Sequence, residues 1–327
     1  MPRRRGLSWF VGLTLVATLL ATTACAGEDS GLKKLEVYYS AAQPNLSDIQ
    51  LYVAQDKGLF EKHGLDVEIK TTDGDAPTFQ ALVAGRADVA FVDSGQLYTG
   101  VAEGAPLQII LDPTPTNLYY LLADPKIKTW QDLAHARIGI SAPGTLSERI
   151  VEMAMAKENV PTKDVTWLAV GGSSGRLKAL QSNRIDAGIG FSAHVIASQK
   201  AGDKVFSNLA EELPQLQGYM WGAQQRTVED KREELVAFDA AMIEATRMVV
   251  DDKDVAISTY VKHNSGTNEA DATKEYSMLK GAWHPDGGMT KGPFAYTTRA
   301  LVESGAVKKA PSFDQVMATD IRDEALK

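Results

Sequence analysis

Two stretches of this chain, 98 residues apart, repeat the same pattern of side chains. Residues 81–88 (ALVAGRAD) and 179–186 (ALQSNRID) share Ala, Leu, Arg and Asp at corresponding positions. Other identities fall at the same spacing: Asp66 and Asp164, Val67 and Val165, Gly74 and Gly172, Ser94 and Ser192. Unrelated segments share scattered residues, but so many matches in one register indicate an internal repeat. A repeated unit predicts two equivalent lobes.

Within each lobe, β-rich segments alternate with helical segments of about ten residues. Strands are predicted at residues 35–40, 65–70, 87–92 and 107–111, and again at 137–141, 165–170 and 185–191. Helices are predicted between them, at residues 47–57, 78–84, 96–103, 146–158 and 176–182, and from residue 228 onward the pattern is almost entirely helical. This order predicts an α/β fold of βαβ units on mostly parallel sheets, with a helical C-terminal region.

The predicted strand ends carry small polar residues. Ligands of open α/β sheets bind beyond the carboxyl ends of the strands, so two facing lobes predict a ligand cleft between them. Free N–H groups at helix starts attract acceptor groups, and aromatic side chains stack on flat ligands. The same residue types also serve as caps, turns and core. The candidate ligand-binding residues are Ser40, Asn45, Asp93, Ser94, Gly95, Tyr119, Gly144, Thr145, Ser174, Phe191, Ser192, Trp221 and Trp283.

Charged candidates near these loops are few. Asp93 follows a strand, where it could accept a hydrogen bond from a ligand amino group or cap the next helix. Arg149 and Arg176 lie inside predicted helices, where we expect solvated faces. The sequence therefore argues against a ligand held mainly by arginine. It favours a ligand with a flat or polarised body, one acceptor end and an optional amino group.

The N-terminus has the pattern of an export signal over residues 1–26. Three arginines, 3–5, precede an apolar stretch from Leu7 to Leu20, which is followed by small residues. Cys25, the only cysteine, resembles the lipidated cysteine of bacterial lipoproteins, although Thr22 stands where that motif usually has Leu. We expect a mature protein outside the cytoplasm, anchored to the outer face of the cell membrane through Cys25. The alternative is ordinary secretion, or release into a periplasm.

Net charge bears on the partner class. The chain has 34 Lys and Arg against 42 Asp and Glu, a net charge of −8. Three of those positive charges belong to the export signal. An acidic surface without a basic cluster repels nucleic acid, so we expect no nucleic-acid partner.

Three motifs carry a resemblance to a known family. Residues 51–67 (LYVAQDKGLFEKHGLDV), 81–90 (ALVAGRADVA) and 130–140 (WQDLAHARIGI) resemble, in order and spacing, the NMT1/THI5-like and SsuA/TauA-like extracytoplasmic solute-binding proteins of ABC importers. The resemblance implies a type II periplasmic-binding-protein fold. It places lobe 1 at residues 33–114 plus 218–327 and lobe 2 at 115–217, with hinges near 112–117 and 213–218.

The same resemblance implies a binding function without catalysis. It suggests capture of a sulfonate, a taurine-like solute, a pyrimidine precursor of thiamine or an aromatic carboxylate. A permease and its ATPase would be partners, because the chain lacks G-x-x-x-x-G-K-[ST]. We expect a monomer with no cofactor.

An enzyme on the same fold is the alternative. Residues 171–175 (GGSSG) satisfy G-x-S-x-G, but no later histidine stands in a recognisable hydrolase context. The pyrimidine-synthase relatives have a cysteine-rich iron motif, and this chain has no cysteine after Cys25. The five histidines show no metal-ligand spacing. We therefore expect no catalytic residues and no metal site.

Overall fold

A computed structural model describes residues 31–327 of the protein. The predicted export signal and Cys25 lie outside these residues. The described strands are β1 (Lys33–Tyr39), β2 (Leu65–Thr71), β3 (Val89–Asp93), β4 (Leu107–Leu111), β5 (Tyr120–Ala123), β6 (Arg137–Ile140), β7 (Thr166–Ala169), β8 (Ala187–Gly190), β9 (Lys204–Asn208) and β10 (Tyr219–Gln224).

These strands form two sheets with the same plan. The first sheet has the order β2-β1-β3-β10-β4 and the second the order β7-β6-β8-β5-β9. In each, three parallel strands are followed by one strand that runs antiparallel to both of its neighbours, β10 in the first sheet and β5 in the second. The matching plan agrees with the internal repeat, and the α/β fold with two βα lobes is confirmed.

The helices alternate with the strands in both lobes and then continue alone. They are α1 (Gln50–Asp56), α2 (Leu59–Lys62), α3 (Asp75–Val83), α4 (Ser94–Ala102), α5 (Leu146–Lys157), α6 (Ser173–Gln181), α7 (Ser192–Ala201), α8 (Leu209–Glu212), α9 (Gln225–Asp230), α10 (Arg232–Asp251), α11 (Lys253–His263), α12 (Glu269–Met278), α13 (Lys291–Glu303), α14 (Phe313–Val316) and α15 (Thr319–Ala325). Short 3₁₀ helices cover Leu46–Asp48 and Trp130–His135. No helix within residues 31–327 has the length and apolarity needed to cross a bilayer.

Two chain segments connect the sheets, and they are bonded to each other. Residues 112–119 lead from β4 to β5, and residues 209–218 lead from β9 back to β10. Asn117 donates from Nδ2 to the carbonyl oxygen of Leu213 at 3.0 Å, and Gln217 donates from Nε2 to Oδ2 of Asp112 at 2.6 Å. Both segments include the predicted hinges. The lobe limits and the hinge motion themselves stay predictions.

Each lobe has its own apolar core. Leu35 and Val37 of β1 pack in the first core, and Ile138 of β6 with Ile150 of α5 in the second. The long helix α10 is amphipathic and inserts Phe238 into the first core, where burying such a side chain contributes about 1.5–3 kcal/mol. The helical C-terminal region therefore completes the first lobe.

Candidate ligand-binding cleft

A cleft of about 630 Å³ lies between residues of the two lobes. This volume is in the range of small-molecule sites, about 300–1,000 Å³. Its lining from the first lobe consists of Ser40, Ala41, Ala42, Gln43, Asn45, Asp73, Gly74, Asp75, Ala76, Pro77, Phe91, Tyr219 and Asn264. Its lining from the second lobe consists of Ser141, Ala142, Thr145, Val170, Gly171, Gly172, Ser173, Ser174, Gly175, Arg176, Lys178 and Phe191.

The glycine-rich loop before α6 turns the start of that helix toward the cleft. Gly171 has φ +85°, a conformation that favours glycine. A Cβ on Gly175 would collide with the carbonyl oxygen of Val170, so any other residue there would have to displace the loop. Within residues 31–327, the first N–H groups of α6, at residues 173–175, have no acceptor. They and the helix dipole present positive potential to the cleft.

Arg176 extends this positive site. Its side chain is buried, with 3% of the residue exposed. The guanidinium donates from Nε to Ile189 O (2.8 Å), from Nη1 to Ser141 Oγ (2.7 Å) and Gly171 O (3.0 Å), and from Nη2 to Ser173 Oγ (2.7 Å). A guanidinium has five N–H groups, so one on Nη2 is left for a ligand.

No carboxylate of the described residues lies within ion-pair distance of Arg176. Burial lowers the pKa of this guanidinium, and the nearby Tyr119, Tyr219 and Asp75 act in the opposite direction. Arginine nevertheless stays protonated in proteins. A buried cation without an ion-pair partner favours the binding of an anion beside it.

Two serine hydroxyls are set up as donors by Arg176. Ser141 and Ser173 each accept an N–H from the guanidinium through their Oγ atoms, and both line the cleft. Their own O–H groups are therefore free to donate to a ligand oxygen. Thr145 differs, since its Oγ1 already bonds the carbonyl oxygen of Ala142 at 2.7 Å.

The first lobe contributes the carboxylate of Asp75, which is hydrogen-bonded to a tyrosine. Asp75, the first residue of α3, accepts from the hydroxyl of Tyr219 at 2.8 Å, and Tyr119 donates to that hydroxyl at 3.1 Å. Burial raises the pKa of Asp75, while the bond from Tyr219 and the charge of Arg176 act to lower it. Asp75 lines the cleft, and its carboxylate has acceptor sites beyond the one used by Tyr219 for an amino or hydroxyl group of a ligand.

Aromatic rings form an apolar wall beside these polar groups. Phe91 stacks on Tyr219 with ring centroids 5.2 Å apart, and Phe191 stacks on Tyr119 at 4.6 Å. Of these four rings, Phe91, Phe191 and Tyr219 line the cleft. Such a wall suits a flat or apolar ligand body.

The structure brings five of the thirteen predicted residues to the cleft: Ser40, Asn45, Thr145, Ser174 and Phe191. Asp93 instead caps α4, where its Oδ1 accepts the N–H of Gln96 at 2.9 Å. Burial first, and then the charge of Asp75, raise the pKa of Asp93 to about 7. Its alternative role as a helix cap is therefore the one that the structure shows.

Four other predicted residues lie away from the cleft lining. Ser94 donates from Oγ to the carbonyl oxygen of Gln217 at 2.8 Å, in the return segment between the lobes. Ser192 donates from Oγ to Oε1 of Glu275 at 2.8 Å. Gly95 lies against a small void beside α5 and α13, and Gly144 donates its N–H to Glu148.

The remaining predicted aromatics are buried away from the cleft. Trp221 packs between Phe91 and Phe238 in the first core. Trp283 donates from Nε1 to the carbonyl oxygen of Ser47 at 2.8 Å. Tyr119, 2% exposed, reaches the site only through Tyr219. As ligand contacts all thirteen residues stay predictions, and the geometry favours the five in the cleft.

The expectation for Arg176 was wrong. Its helix begins at Ser173, and helical side chains lean toward the N-terminus of their helix. An arginine in the first turn therefore folds back over the glycine-rich loop rather than into solvent. Arg149 is half-buried and donates from Nε to the carbonyl oxygen of Gly144 at 3.0 Å. Sequence reasoning also missed Asp75 and Tyr219.

The G-x-S-x-G loop does not have the histidine contact of a hydrolase within the described part of the chain. Ser173 accepts from Arg176, and no histidine of residues 31–327 bonds to it. His194, buried near Arg176, has its pKa lowered to about 4, chiefly by burial, and is neutral. The described residues contain no group of three His, Cys, Asp or Glu placed to hold a metal ion.

Comparison with known proteins gives the family. A model of the family described as NMT1/THI5 like matches residues 45–256, well over half of the chain. The chain belongs to the NMT1/THI5-like family.

Relatives of this NMT1/THI5-like protein include a Haemophilus influenzae protein named for thiamine biosynthesis, 29% identical over 202 residues. That match covers 60% of this chain and 63% of the relative, less than two thirds of its length.

Solved structures show the fold. The ligand-binding component of an ABC-type import system from Staphylococcus aureus, crystallised with zinc bound, has a TM-score of 0.75 at 12% identity, covering 90% of this chain and 99% of its own. The periplasmic aliphatic sulphonate binding protein SsuA from Escherichia coli has a TM-score of 0.69 at 17% identity, covering 86% and 91%. This NMT1/THI5-like protein therefore has the two-lobed periplasmic-binding-protein fold.

Proposed function

We propose that this NMT1/THI5-like protein captures a small organic anion in the cleft and delivers it to the permease of an ABC importer. One observation carries the proposal: the buried guanidinium of Arg176 lines the cleft without an ion-pair partner among the described residues. A sulfonate or carboxylate would accept from the free N–H on Nη2, from the hydroxyls of Ser141 and Ser173, and from the N-terminus of α6.

The opposite side of the cleft narrows the ligand class. Asp75 offers an acceptor, and the wall of Phe91, Phe191 and Tyr219 offers apolar contact. We therefore favour an anion that also carries an amino or hydroxyl group, in the taurine-like or aromatic carboxylate class. A neutral pyrimidine would leave Arg176 unpaired, so we rank it lower.

Calorimetry on the purified protein tests the anion. Taurine, ethanesulfonate, benzoate and a neutral aminopyrimidine serve as probes. Charge-assisted hydrogen bonds contribute about 1.5–3 kcal/mol, so losing one should weaken anion binding about 10- to 100-fold. Arg176→Lys keeps the charge but loses the fork of donors. Arg184→Lys, on an exposed residue after the same helix, is the control.

Arg176 also forms hydrogen bonds within its own lobe, so Arg176→Lys could lose binding by misfolding. A second variant that leaves Arg176 in place keeps the test decisive. Ser174→Glu places a negative charge on an exposed residue that lines the cleft, and should abolish anion binding. Ser182→Glu, at the far end of α6, is the matched control. Binding of the pyrimidine alone, unchanged in both cleft variants, would refute the proposed anion.

Export, the lipid anchor at Cys25 and the permease partner belong to the same proposal. The family resemblance supports them, together with the structural likeness to the ligand-binding component of an ABC-type import system from Staphylococcus aureus. An enzyme on this fold is the competing function. Mass spectrometry of the bound solute separates the two, since a transport receptor releases its ligand unchanged. A chemically altered solute after incubation with purified protein would favour the enzyme.

A further inference from the structure

The lobes also touch outside the two connecting segments, where α12 lies against α7. Ser192, at the start of α7, donates to Glu275 of α12 at 2.8 Å. One turn away on α12, Asp271 pairs with Lys200 at the other end of α7, at 2.5 Å. Asp271 and Glu275 are spaced i, i+4 and therefore lie on one face of α12.

Helix α12 is seated on both cores. Ala272 and Leu279 belong to the apolar core of the first lobe. Met278 packs against an apolar cluster of the second lobe that contains Leu180 and Val195. Helix α7, by contrast, follows β8 and belongs to the second sheet. Any rotation of one lobe relative to the other must therefore alter the contact between α12 and α7.

Glu275 is the most buried polar group of this contact, with 1% of the residue exposed. Besides Ser192, the hydroxyl of Tyr260 and the backbone N–H of Ala193 lie near this carboxylate and act to lower its pKa, against a larger rise from burial. Glu275 thus lies at the start of α7, where a carboxylate is electrostatically favoured. Phe191, directly before Ser192 in the chain, lines the cleft. The contact therefore positions part of the ligand wall.

We propose that α12 is a clasp that holds the two lobes around the cleft, with Glu275 as its main contact, and so sets ligand affinity from outside the cleft. The effect on affinity rests on the proposed function, whereas the effect on lobe arrangement does not. If only the clasped arrangement binds well, the apparent association constant equals the intrinsic constant multiplied by the fraction of molecules that are clasped. Losing a buried hydrogen bond of this kind should weaken binding about tenfold.

Glu275→Ala opens the clasp in the full chain, and Glu275→Gln is the conservative variant that keeps an acceptor for Ser192. Glu269→Ala removes the same charge from an exposed position on α12 and is the control. Without ligand, we expect Glu275→Ala to increase the radius of gyration by small-angle scattering. We also expect faster amide hydrogen exchange in the first turn of α7. Glu275→Gln should recover most of the parent behaviour, and Glu269→Ala should match the parent.

With taurine as the probe, Glu275→Ala should bind about tenfold more weakly than the parent. Parent-like scattering and exchange would overturn the clasp, and so would tighter taurine binding, which would mean that α12 holds the lobes apart. If Glu275→Ala loses its thermal transition, Ser192→Ala tests the same contact from the second lobe. If taurine and the other anions fail to bind even the parent, the proposed function fails. Scattering and exchange then still decide the clasp.

Discussion

The hydrogen-bonded chain from Tyr119 through Tyr219 to Asp75, here called the tyrosine relay, predicts unequal effects for two similar substitutions. Tyr219→Phe removes the hydroxyl that donates to Asp75 at 2.8 Å and accepts from Tyr119 at 3.1 Å. Tyr119→Phe removes only the second of these bonds. Both substitutions keep the rings, and therefore the stacking of Tyr219 on Phe91 and of Tyr119 on Phe191. The difference between the variants thus reports the bond to the carboxylate together with the cost of leaving the Tyr119 hydroxyl without its acceptor.

The magnitudes follow from the bond types. A neutral hydrogen bond contributes about 0.5–1.5 kcal/mol and one to a charged group about 1.5–3 kcal/mol. Tyr119→Phe should therefore cost about 0.5–1.5 kcal/mol. Tyr219→Phe loses both bonds and leaves the buried hydroxyl of Tyr119 unpaired, so it should cost about 2–4 kcal/mol. It should also raise the pKa of Asp75 further, because the bond from Tyr219 acts to lower it.

Urea unfolding measures the two costs as changes in the free energy of unfolding, with an unchanged slope showing that the unfolded surface is the same. The pKa of Asp75 can be followed by carboxyl carbon NMR in each variant. Equal losses of stability, or a larger loss in Tyr119→Phe, would refute the relay. An unchanged pKa of Asp75 in Tyr219→Phe would do the same for the bond to the carboxylate.

Four further predictions concern single sites. Gly175→Ala should destabilise by about 1–3 kcal/mol in chemical denaturation, because its Cβ would collide with Val170 O. Burial raises the pKa of Glu275 from 4.5 to about 7, so its stabilising contribution is full below pH 4.5 and is lost as the pH rises to 7. Across this range the stability of Glu275→Gln should fall less steeply with pH than that of the parent, because Asp93 still contributes, and a slope equal to the parent's contradicts the assignment. Asp239→Leu should raise the free energy of unfolding by about 1–3 kcal/mol, since both carboxyl oxygens of Asp239 are buried without a hydrogen-bond partner among residues 31–327, and a loss of stability would count against this. Cys25→Ala should move the mature protein from the membrane fraction to the soluble fraction, and identical fractionation of both forms would exclude the lipid anchor.

The sequence alone determined the fold class and the family. Local periodicity placed most strands and helices, because residues close in the chain share one surface of an element. The repeat at a spacing of 98 residues predicted two equivalent lobes, and the two sheets have the same strand order. Strands β5, β9 and β10 were missed. All three are held in their sheets by antiparallel pairing with strands distant in the chain.

The composition of the cleft was decided mainly by tertiary structure. Small polar residues at strand ends were predictable because that edge of a parallel sheet is where ligands bind, and Ser40, Thr145 and Ser174 do line the cleft. Asp93 and Ser94 have the same local pattern, yet the fold uses one as a cap and the other to bond the return segment.

The charged groups depended on long-range contacts. Asp75 and Tyr219 meet although 144 residues separate them. Only the return of the chain from the second lobe to the first sheet brings them together. Arg176 can be buried because Ser141, directly after β6, and Ile189 of β8 accept its N–H groups. A local pattern cannot contain such partners, since burial and hydrogen bonding of a charge are properties of the assembled lobes.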